Sequence, residues 1–304
     1  MTVLLVLIIL IVLFLVGAAF VILILGPLIL LQPERRTREW YAKRTTLLEP
    51  RDAGLPQENL SITTADGLTL SAWLVPQRAN PKGTILYLHG VGDCKIGGVA
   101  LSRFFFNNGY NVFLYDSRQH GESEGRYCTY GFYEKNDVST VVDYLEKRDD
   151  ISLGNVGVFG TSMGAAVALQ AAARDPRIKA VVAEAGFTDL RTIFVDYQWR
   201  IAKLPWHFLR NVAMSRSQKI AKFKARDVSP LEDVKKLTTP VLFIHGTEDE
   251  LIRVDYSRTL YEQATGPKDL LLIEGANHND VWEVGGAEYE RAIGDFFAHH
   301  LGGR

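Results

Sequence analysis

The sequence predicts an α/β fold, in which helices cover both faces of an open, mostly parallel sheet and a single transmembrane helix comes first. Two observations predict this architecture. Short apolar runs typical of buried strands alternate with helical patterns over most of the 304 residues. The first charged residue is Glu34, so the amino-terminal end differs from the rest of the chain, which has the charge content of a globular domain.

Eight apolar runs predict the strands. The first two flank Asp66-Gly67, a hairpin turn signal. The other six are rich in β-branched residues and alternate little, as expected of strands buried on both faces. Strands are predicted at 60–64, 68–75, 84–88, 112–115, 156–159, 180–183, 241–244 and 270–273, and helices at about 97–108, 134–147, 163–174, 254–265 and 286–301. This alternation implies right-handed crossovers and a mostly parallel, eight-stranded sheet.

Residues 1–32 are predicted to be a membrane anchor. Val3–Leu25 carries no charge, and as a helix these 23 residues would be roughly 35 Å long, enough to cross a hydrocarbon core of about 30 Å. A cleaved signal peptide is the alternative, but no Lys or Arg precedes the run, which is also longer than a usual signal core. Six basic residues follow and predict a cytoplasmic domain: Arg35, Arg36, Arg38, Lys43, Arg44 and Arg51.

Two segments interrupt the pattern of strands and helices. Residues 33–58 are charged and contain proline, which predicts a juxtamembrane linker before an α/β domain at 59–304. Between Ala185 and Pro240 no strand is predicted, and the long, helical, aromatic-rich stretch favours a lid inserted at about 187–236.

The inserted segment is strongly basic, although the whole chain is not. The net charge of −1 gives no reason to expect nucleic-acid binding. The insertion presents either a solvated basic face or a surface that rests on anionic lipid, which would suit a substrate drawn from the bilayer. Its eight basic residues, with no acid between them, are Arg200, Lys203, Arg210, Arg216, Lys219, Lys222, Lys224 and Arg226.

A serine lies between two glycines where a predicted strand meets a predicted helix, in Gly160-Thr161-Ser162-Met163-Gly164. A tight turn here raises the Ser162 side chain above the carboxyl edge of the sheet, where parallel sheets bind ligands. The following helix directs its amino terminus at the same place, which favours developing negative charge. An incidental glycine-flanked turn is the alternative, but the flanking strand and helix favour a catalytic nucleophile.

A serine nucleophile needs a base, and the base needs an acid that orients it. His278 follows the last predicted strand and therefore shares the sheet edge with the serine, whereas His89 and His245 end strands and are interpreted as turn residues. Three carboxylates, at 248–250, follow the seventh strand, and each is a candidate acid. The order serine, acid, histidine along the chain is the one that this arrangement requires.

An oxyanion hole needs two backbone N–H groups. One should come from Met163, directly after the nucleophile. The other should come from the loop after the third strand, where Val91 is favoured over Gly92.

Together these segments resemble the alpha/beta-hydrolase superfamily over residues 59–304. In chain order they are LHGVGD at the oxyanion loop, YDSRQHGESEG after the fourth strand, GTSMGA at the nucleophile, HGTED at the acid and GANHND at the histidine. The resemblance favours Asp249 as the acid, over Glu184 and Asp189 as well as over its neighbours. It implies a serine hydrolase that uses no metal or cofactor, of the membrane-anchored esterase-like or prolyl-oligopeptidase-like kind.

We therefore expect an enzyme of carboxylesterase, lipase or thioesterase type, in which Ser162, Asp249 and His278 cleave a small acyl substrate, including lipid, through an acyl-enzyme. A serine peptidase and a non-catalytic binding module are the alternatives.

Residues 116–123, with Asp116, Arg118 and Ser123, are interpreted as a brace for a loop rather than as a second site. Two isolated cysteines, at 94 and 128, indicate neither a metal site nor a disulfide framework, and whether they pair stays open.

Overall fold

The computed structural model describes residues 2–77, 80–199, 203 and 207–302. Its centre is a sheet of eight strands in the order β1-β2-β4-β3-β5-β6-β7-β8. β2 is antiparallel to both of its neighbours, and the other pairs are parallel. The predicted eight-stranded, mostly parallel sheet is confirmed. Its strands are β1 Glu58–Thr63, β2 Thr69–Val75, β3 Thr84–Leu88, β4 Asn111–Tyr115, β5 Val156–Thr161, β6 Ile178–Glu184, β7 Val241–Gly246 and β8 Lys268–Ile273.

Helices cover both faces of the sheet, as the sequence predicts. One hydrophobic core lies under α5, α6 and α10, and a second lies under α4 and α11. Val158 and Phe159 of β5 face opposite cores and both are buried, which explains why this strand shows no polar alternation. The helices are α1 Thr2–Phe20, α2 Gly26–Leu31, α3 Arg38–Ala42, α4 Val99–Asn107, α5 Glu134–Glu146, α6 Met163–Ala172, α7 Leu190–Tyr197, α8 His207–Ile220, α9 Pro230–Val234, α10 Val254–Gln263 and α11 Val281–Leu301.

The amino-terminal helix is long and apolar, and its far end is docked on the domain. A π-helical turn, Val21–Leu25, joins α1 to α2, and Val3–Leu31 is long and apolar enough to cross a membrane. Leu31 is buried in the first core, and its carbonyl accepts a hydrogen bond from the Cys128 N–H at 2.8 Å. The helix therefore joins the domain through a packed contact.

The segment between this helix and β1 is folded, although its charge predicts a linker. It contains α3 and a short 3-10 turn, Pro50–Ala53. Tyr41 and Leu55 are buried in the second core, and Trp40 packs partly buried against it. A few well-spaced apolar side chains hold this polar stretch on the domain.

Helices α7, α8 and α9 form the insertion between β6 and β7, where the sequence predicts helices without strands. Arg200 and Trp206 of this insertion lie outside the described residues. Helix α8 packs along α2 and the π-helical turn. The insertion thus contacts the amino-terminal helix as well as the domain.

Candidate active site

Ser162 stands in a strained turn between β5 and α6. Its φ of 56° and ψ of −115° lie outside the regions that residues with a side chain prefer. The two flanking glycines permit this turn: a Cβ on Gly160 would be 2.3 Å from the Gly164 carbonyl oxygen, and one on Gly164 would be 2.0 Å from the Leu88 oxygen. The local sequence therefore forces the hydroxyl above the sheet edge, as a nucleophile elbow requires.

The structure brings the three predicted catalytic side chains together. Nε2 of His278 lies 3.2 Å from Oγ of Ser162, and Nδ1 of His278 lies 2.6 Å from Oδ2 of Asp249. Asp249 follows β7 and His278 follows β8, so both come from loops at the carboxyl edge of the parallel strands. Glu248 and Glu250, the other candidate acids of this loop, are exposed. This arrangement allows a proton to pass from the serine to the imidazole while the carboxylate orients the ring.

Asp249 is buried and held by several donors. Its Oδ1 accepts hydrogen bonds from the N–H groups of Leu251 at 2.8 Å and Ile252 at 2.7 Å. Burial raises the pKa of Asp249, but hydrogen bonds from His245 and His278 outweigh burial and hold this pKa well below its ordinary value. Asp249 is therefore an ionised carboxylate at neutral pH.

His245 is a residue of this site that sequence reasoning missed. Its Nε2 lies 2.9 Å from the Ile252 carbonyl oxygen and 3.2 Å from Oδ2 of Asp249, and its Nδ1 lies 2.7 Å from Oγ of Ser257. Because a carbonyl only accepts, Nε2 carries the hydrogen and Nδ1 accepts from the serine hydroxyl. The position of His245 four residues before the acid was the available signal.

The loop after β3 passes next to Ser162. A Cβ on Gly90 would be 3.4 Å from Cβ and 3.9 Å from Oγ of Ser162, so the backbone directly before Val91 adjoins this side chain. Helix α6 begins at Met163, whose N–H is one of the donors that a helix leaves without an intrahelical acceptor. Both predicted oxyanion donors thus come from backbone beside Ser162.

The segment before β1 is bonded to this loop. The N–H of Arg36 donates to the Gly92 carbonyl at 2.7 Å. The Tyr41 hydroxyl donates to Asp93, and the Arg36 guanidinium lies 3.6 Å from the same carboxylate. Asp93 in turn accepts from the Cys94 N–H at 2.8 Å. Residues 36–41 therefore clamp the loop that carries Val91.

Comparisons with known proteins identify the family. The sequence profile of the X-Pro dipeptidyl-peptidase (S15) family matches residues 32–223, a range that includes Ser162 and ends before Asp249 and His278. The chain belongs to this family of alpha/beta-hydrolases. The expected superfamily is therefore confirmed, and the protein is a hydrolase.

This hydrolase is similar over most of its length to a bacterial and a human protein and to an esterase of known structure. YqkD of Bacillus subtilis is 32% identical over 77% of this chain and 77% of its own length. The human alpha/beta hydrolase domain-containing protein 17B is 29% identical over 75% of this chain and 71% of its own. The structure of a Pyrococcus furiosus esterase superposes with a TM-score of 0.70 at 25% identity, over 84% of this chain and 95% of its own.

A cavity of about 580 Å³ in the hydrolase opens beside His278, on the α4 and α11 side of the sheet. Glu184 borders it, and burial raises the pKa of this carboxyl although the Tyr289 hydroxyl donates to it at 2.5 Å. Asp189, another candidate acid, caps α7 instead. Six aromatic side chains line part of its wall: Trp40, Tyr41, Tyr87, Phe159, Trp282 and Tyr289. The segment before β1 thus lines space next to His278.

The Asp116 to Ser123 stretch has the contacts of a brace. Arg118 makes a bidentate contact with the buried Asp137 at 2.7 and 2.6 Å. Oγ of Ser123 donates to the Asp116 carbonyl at 2.5 Å, and the Asp116 carboxylate contacts Nζ of the buried Lys95 at 2.6 Å. These groups satisfy one another and hold the loop after β4. Both cysteines, at 94 and 128, are free and buried.

Proposed function

We propose that this hydrolase cleaves carboxylic esters, including thioesters, with Ser162 as nucleophile, His278 as general base and acid, and Asp249 as the orienting carboxylate. The observation that carries the proposal is the continuous chain of contacts from Oγ of Ser162 through both ring nitrogens of His278 to Oδ2 of Asp249. A binding module has no use for this arrangement, nor for a serine held at φ 56°.

The reaction proceeds in two halves. His278 takes the hydroxyl proton as Oγ attacks the acyl carbon, and the resulting oxyanion accepts from the N–H groups of Val91 and Met163. The bond to the leaving oxygen or sulfur breaks, and His278 gives its proton to that atom. Water then attacks the acyl-enzyme, His278 takes the water proton, and the Ser162 hydroxyl is restored as the carboxylic acid leaves.

Ester cleavage is favoured over peptide cleavage by the likeness to the Pyrococcus furiosus esterase. A serine peptidase is the second candidate, because the matching profile is that of an X-Pro dipeptidyl-peptidase family. A panel of p-nitrophenyl esters of increasing chain length, thioesters and dipeptidyl amides, compared by kcat/KM, separates the two. Higher values on dipeptidyl amides than on every ester would replace the esterase assignment.

The nucleophile is tested by fluorophosphonate labelling of the full chain in detergent. We expect labelling and ester hydrolysis in the wild type, and loss of both in Ser162→Ala with unchanged circular dichroism. Ser152→Ala serves as a control, since Ser152 is exposed and precedes β5, at the opposite edge of the sheet from Ser162. A folded wild type that does not react would falsify the proposal.

We propose further that Val3–Leu31 is a retained single-span anchor and that the domain is cytoplasmic. The helix is followed by a packed junction at Leu31, and its exposed apolar surface is suited to lipid. The insertion between β6 and β7 then serves as a lid over the site. Resistance of the membrane-bound protein to extraction by alkaline carbonate tests the anchor. Reaction of a cysteine introduced on the domain surface with a reagent that reaches only the cytoplasmic side tests the orientation.

A further inference from the structure

Helix α8 of the insertion lies alongside the last turns of the apolar amino-terminal helix. It packs against α2 and the Val21–Leu25 turn. A Cβ on Gly26 would be 3.6 Å from Cβ of Ala213, so two small residues permit the close approach. The buried Ser217 places its Oγ 3.4 Å from the Pro27 carbonyl oxygen. α8 is therefore held at the depth where the proposed anchor leaves the bilayer.

The accessible side of α8 and of the turn after it is positively charged. Residues 200–226 include no acidic residue. The exposed basic residues that follow Met214 in this segment are Arg216, Lys219, Lys222, Lys224 and Arg226. Among the described residues, only the last of these five has an acidic partner, Asp227, at 3.5 Å. The domain itself does not neutralise this surface, so its charge is available to an external anion.

Two aromatic side chains project from the start of α8 and the end of the preceding stretch. Phe208 is 72% exposed and Trp199 is 48% exposed. The Trp199 ring lies 5.7 Å from the His207 ring, so both aromatic residues belong to the same end of the insertion. Large exposed aromatic residues next to basic ones are typical of helices that lie in a membrane interface.

We propose that this surface, defined as Trp199, Phe208, Arg216, Lys219 and Lys222 and called the α8 surface, rests on an anionic lipid bilayer. Its basic side chains contact lipid headgroups, and its aromatic side chains enter the interface. An anionic membrane is the partner that fits, because the surface adjoins the helix that would cross that membrane. The inference rests on the proposed anchor and adds a second attachment to it.

The second attachment has a consequence for catalysis. A single spanning helix lets a domain rotate about it, whereas a second contact fixes which side of the domain faces the lipid. Since the insertion begins directly after β6, at the carboxyl edge of the sheet that also carries Ser162, the α8 surface turns this edge toward the bilayer. Acyl chains of membrane-bound substrates then lie close to Ser162.

The test uses the full chain in nanodiscs of phosphatidylcholine alone or mixed with phosphatidylserine. An environment-sensitive fluorophore is attached to Phe208→Cys, and the native Cys94 and Cys128 are buried and therefore unreactive. We expect a blue shift, and quenching by nitroxide-bearing lipids, in the anionic discs. The shift should disappear at molar salt, where the Debye length is about 3 Å.

The charge dependence is tested with a triple variant, Arg216→Gln with Lys219→Gln and Lys222→Gln. Since each basic residue near an anionic surface contributes about a fivefold factor in binding, the variant should weaken the contact by about 100-fold and abolish the shift. The matched control removes three exposed lysines near the amino ends of the parallel strands, at the opposite edge of the sheet: Lys147, Lys179 and Lys236, each changed to Gln. The control should keep the shift.

A label at position 208 that stays in water in both kinds of disc overturns the α8 surface, and so does an equal loss of the shift in the control. Carbonate extraction separates this result from failure of the anchor. If the wash removes the protein, both the anchor and the α8 surface are contradicted. If the protein is retained but its label is exposed to water, only the α8 surface is contradicted. Fluorophosphonate labelling in the same discs reports separately on the hydrolase.

Discussion

Nε2 of the fully buried His245 lies 3.2 Å from Oδ2 of Asp249, the same oxygen that accepts from His278. The acid of the site is therefore held between two imidazoles. Burial works against its charge, and the two imidazole donors restore it. We therefore infer that, in the proposed mechanism, His245 acts through Asp249 as a positioning residue.

Replacement of His245 by Phe should change the pH dependence of the reaction. The ring of Phe fills the space but donates no hydrogen bond, and since that bond lowers the pKa of Asp249 while burial raises it, the pKa should rise. With one donor fewer, the Asp249 carboxylate stabilises the imidazolium of His278 more strongly, and the imidazolium cannot take the Ser162 proton. We expect the acid limb of kcat/KM to move upward by about one to two pH units.

His245→Gln is the companion variant, because its amide restores a donor to Asp249. Its acid limb should lie nearer to that of the wild type than the limb of His245→Phe. A uniform loss of kcat/KM in both variants, with the limb unmoved, would show that His245 only packs. Ester hydrolysis between about pH 4 and pH 9 provides the measurement, since this range spans the ordinary pKa values of carboxyl and imidazole groups.

The clamp on the oxyanion loop leads to a second prediction. Burial and the nearby Asp93 raise the pKa of Tyr41, so its hydroxyl stays protonated and donates to this carboxylate. Tyr41→Phe removes the donor and loosens the loop of Val91, whose N–H, in the proposed mechanism, acts only on the developing oxyanion. We expect kcat to fall about tenfold with KM nearly unchanged, less than the loss from deleting a whole oxyanion donor.

Tyr261→Phe is the matched control, since it removes a hydroxyl from the half-buried Tyr261 on α10, away from the oxyanion loop. Steady-state kinetics on one short-chain ester should leave this variant at the wild-type rate. A change confined to KM in Tyr41→Phe would indicate that Tyr41 contacts substrate in the cavity and does not position the loop.

The fold and the meeting of Ser162, His278 and the 248–250 loop at one edge of the sheet were predictable because their signals are local. Buried parallel strands must be apolar on both faces, so β3 to β7 appear as continuous apolar runs. The elbow needs glycines that no other residue replaces, and the loops after β7 and β8 necessarily share an edge with Ser162. Each of these features is determined by a stretch of about ten residues.

The contacts of residues 36–41 and of His245 were not predictable in this way. Arg36 and Tyr41 meet residues more than fifty positions further along the chain, and they lie in a charged segment, so composition indicated a linker. His245 ends a strand, which favours a local turn role. The conformation of the following loop brings Asp249 back beside His245, and no periodicity in the sequence indicates this conformation.

The elbow glycines give the sharpest stability prediction. A Cβ on Gly164 would be 2.0 Å from the Leu88 backbone oxygen, and since that oxygen lies at the end of β3 in the centre of the sheet, it has little freedom to move. We expect Gly164→Ala to destabilise the fold by about 3 kcal/mol, which corresponds to a fall of roughly 10 °C in unfolding temperature. Fluorophosphonate labelling should also slow, because the strand end and the Ser162 turn must shift apart.

Gly294→Ala provides the contrast within the same chain. A Cβ there would meet only Cζ of Phe104, at 3.5 Å, which is an ordinary contact. Because Gly294 lies inside α11, alanine should be neutral or stabilising by up to about 1 kcal/mol. Thermal unfolding followed by circular dichroism in one detergent compares the two variants. Equal unfolding temperatures of Gly164→Ala and Gly294→Ala would contradict this prediction, because they would show that close packing against β3 does not require glycine beside Ser162.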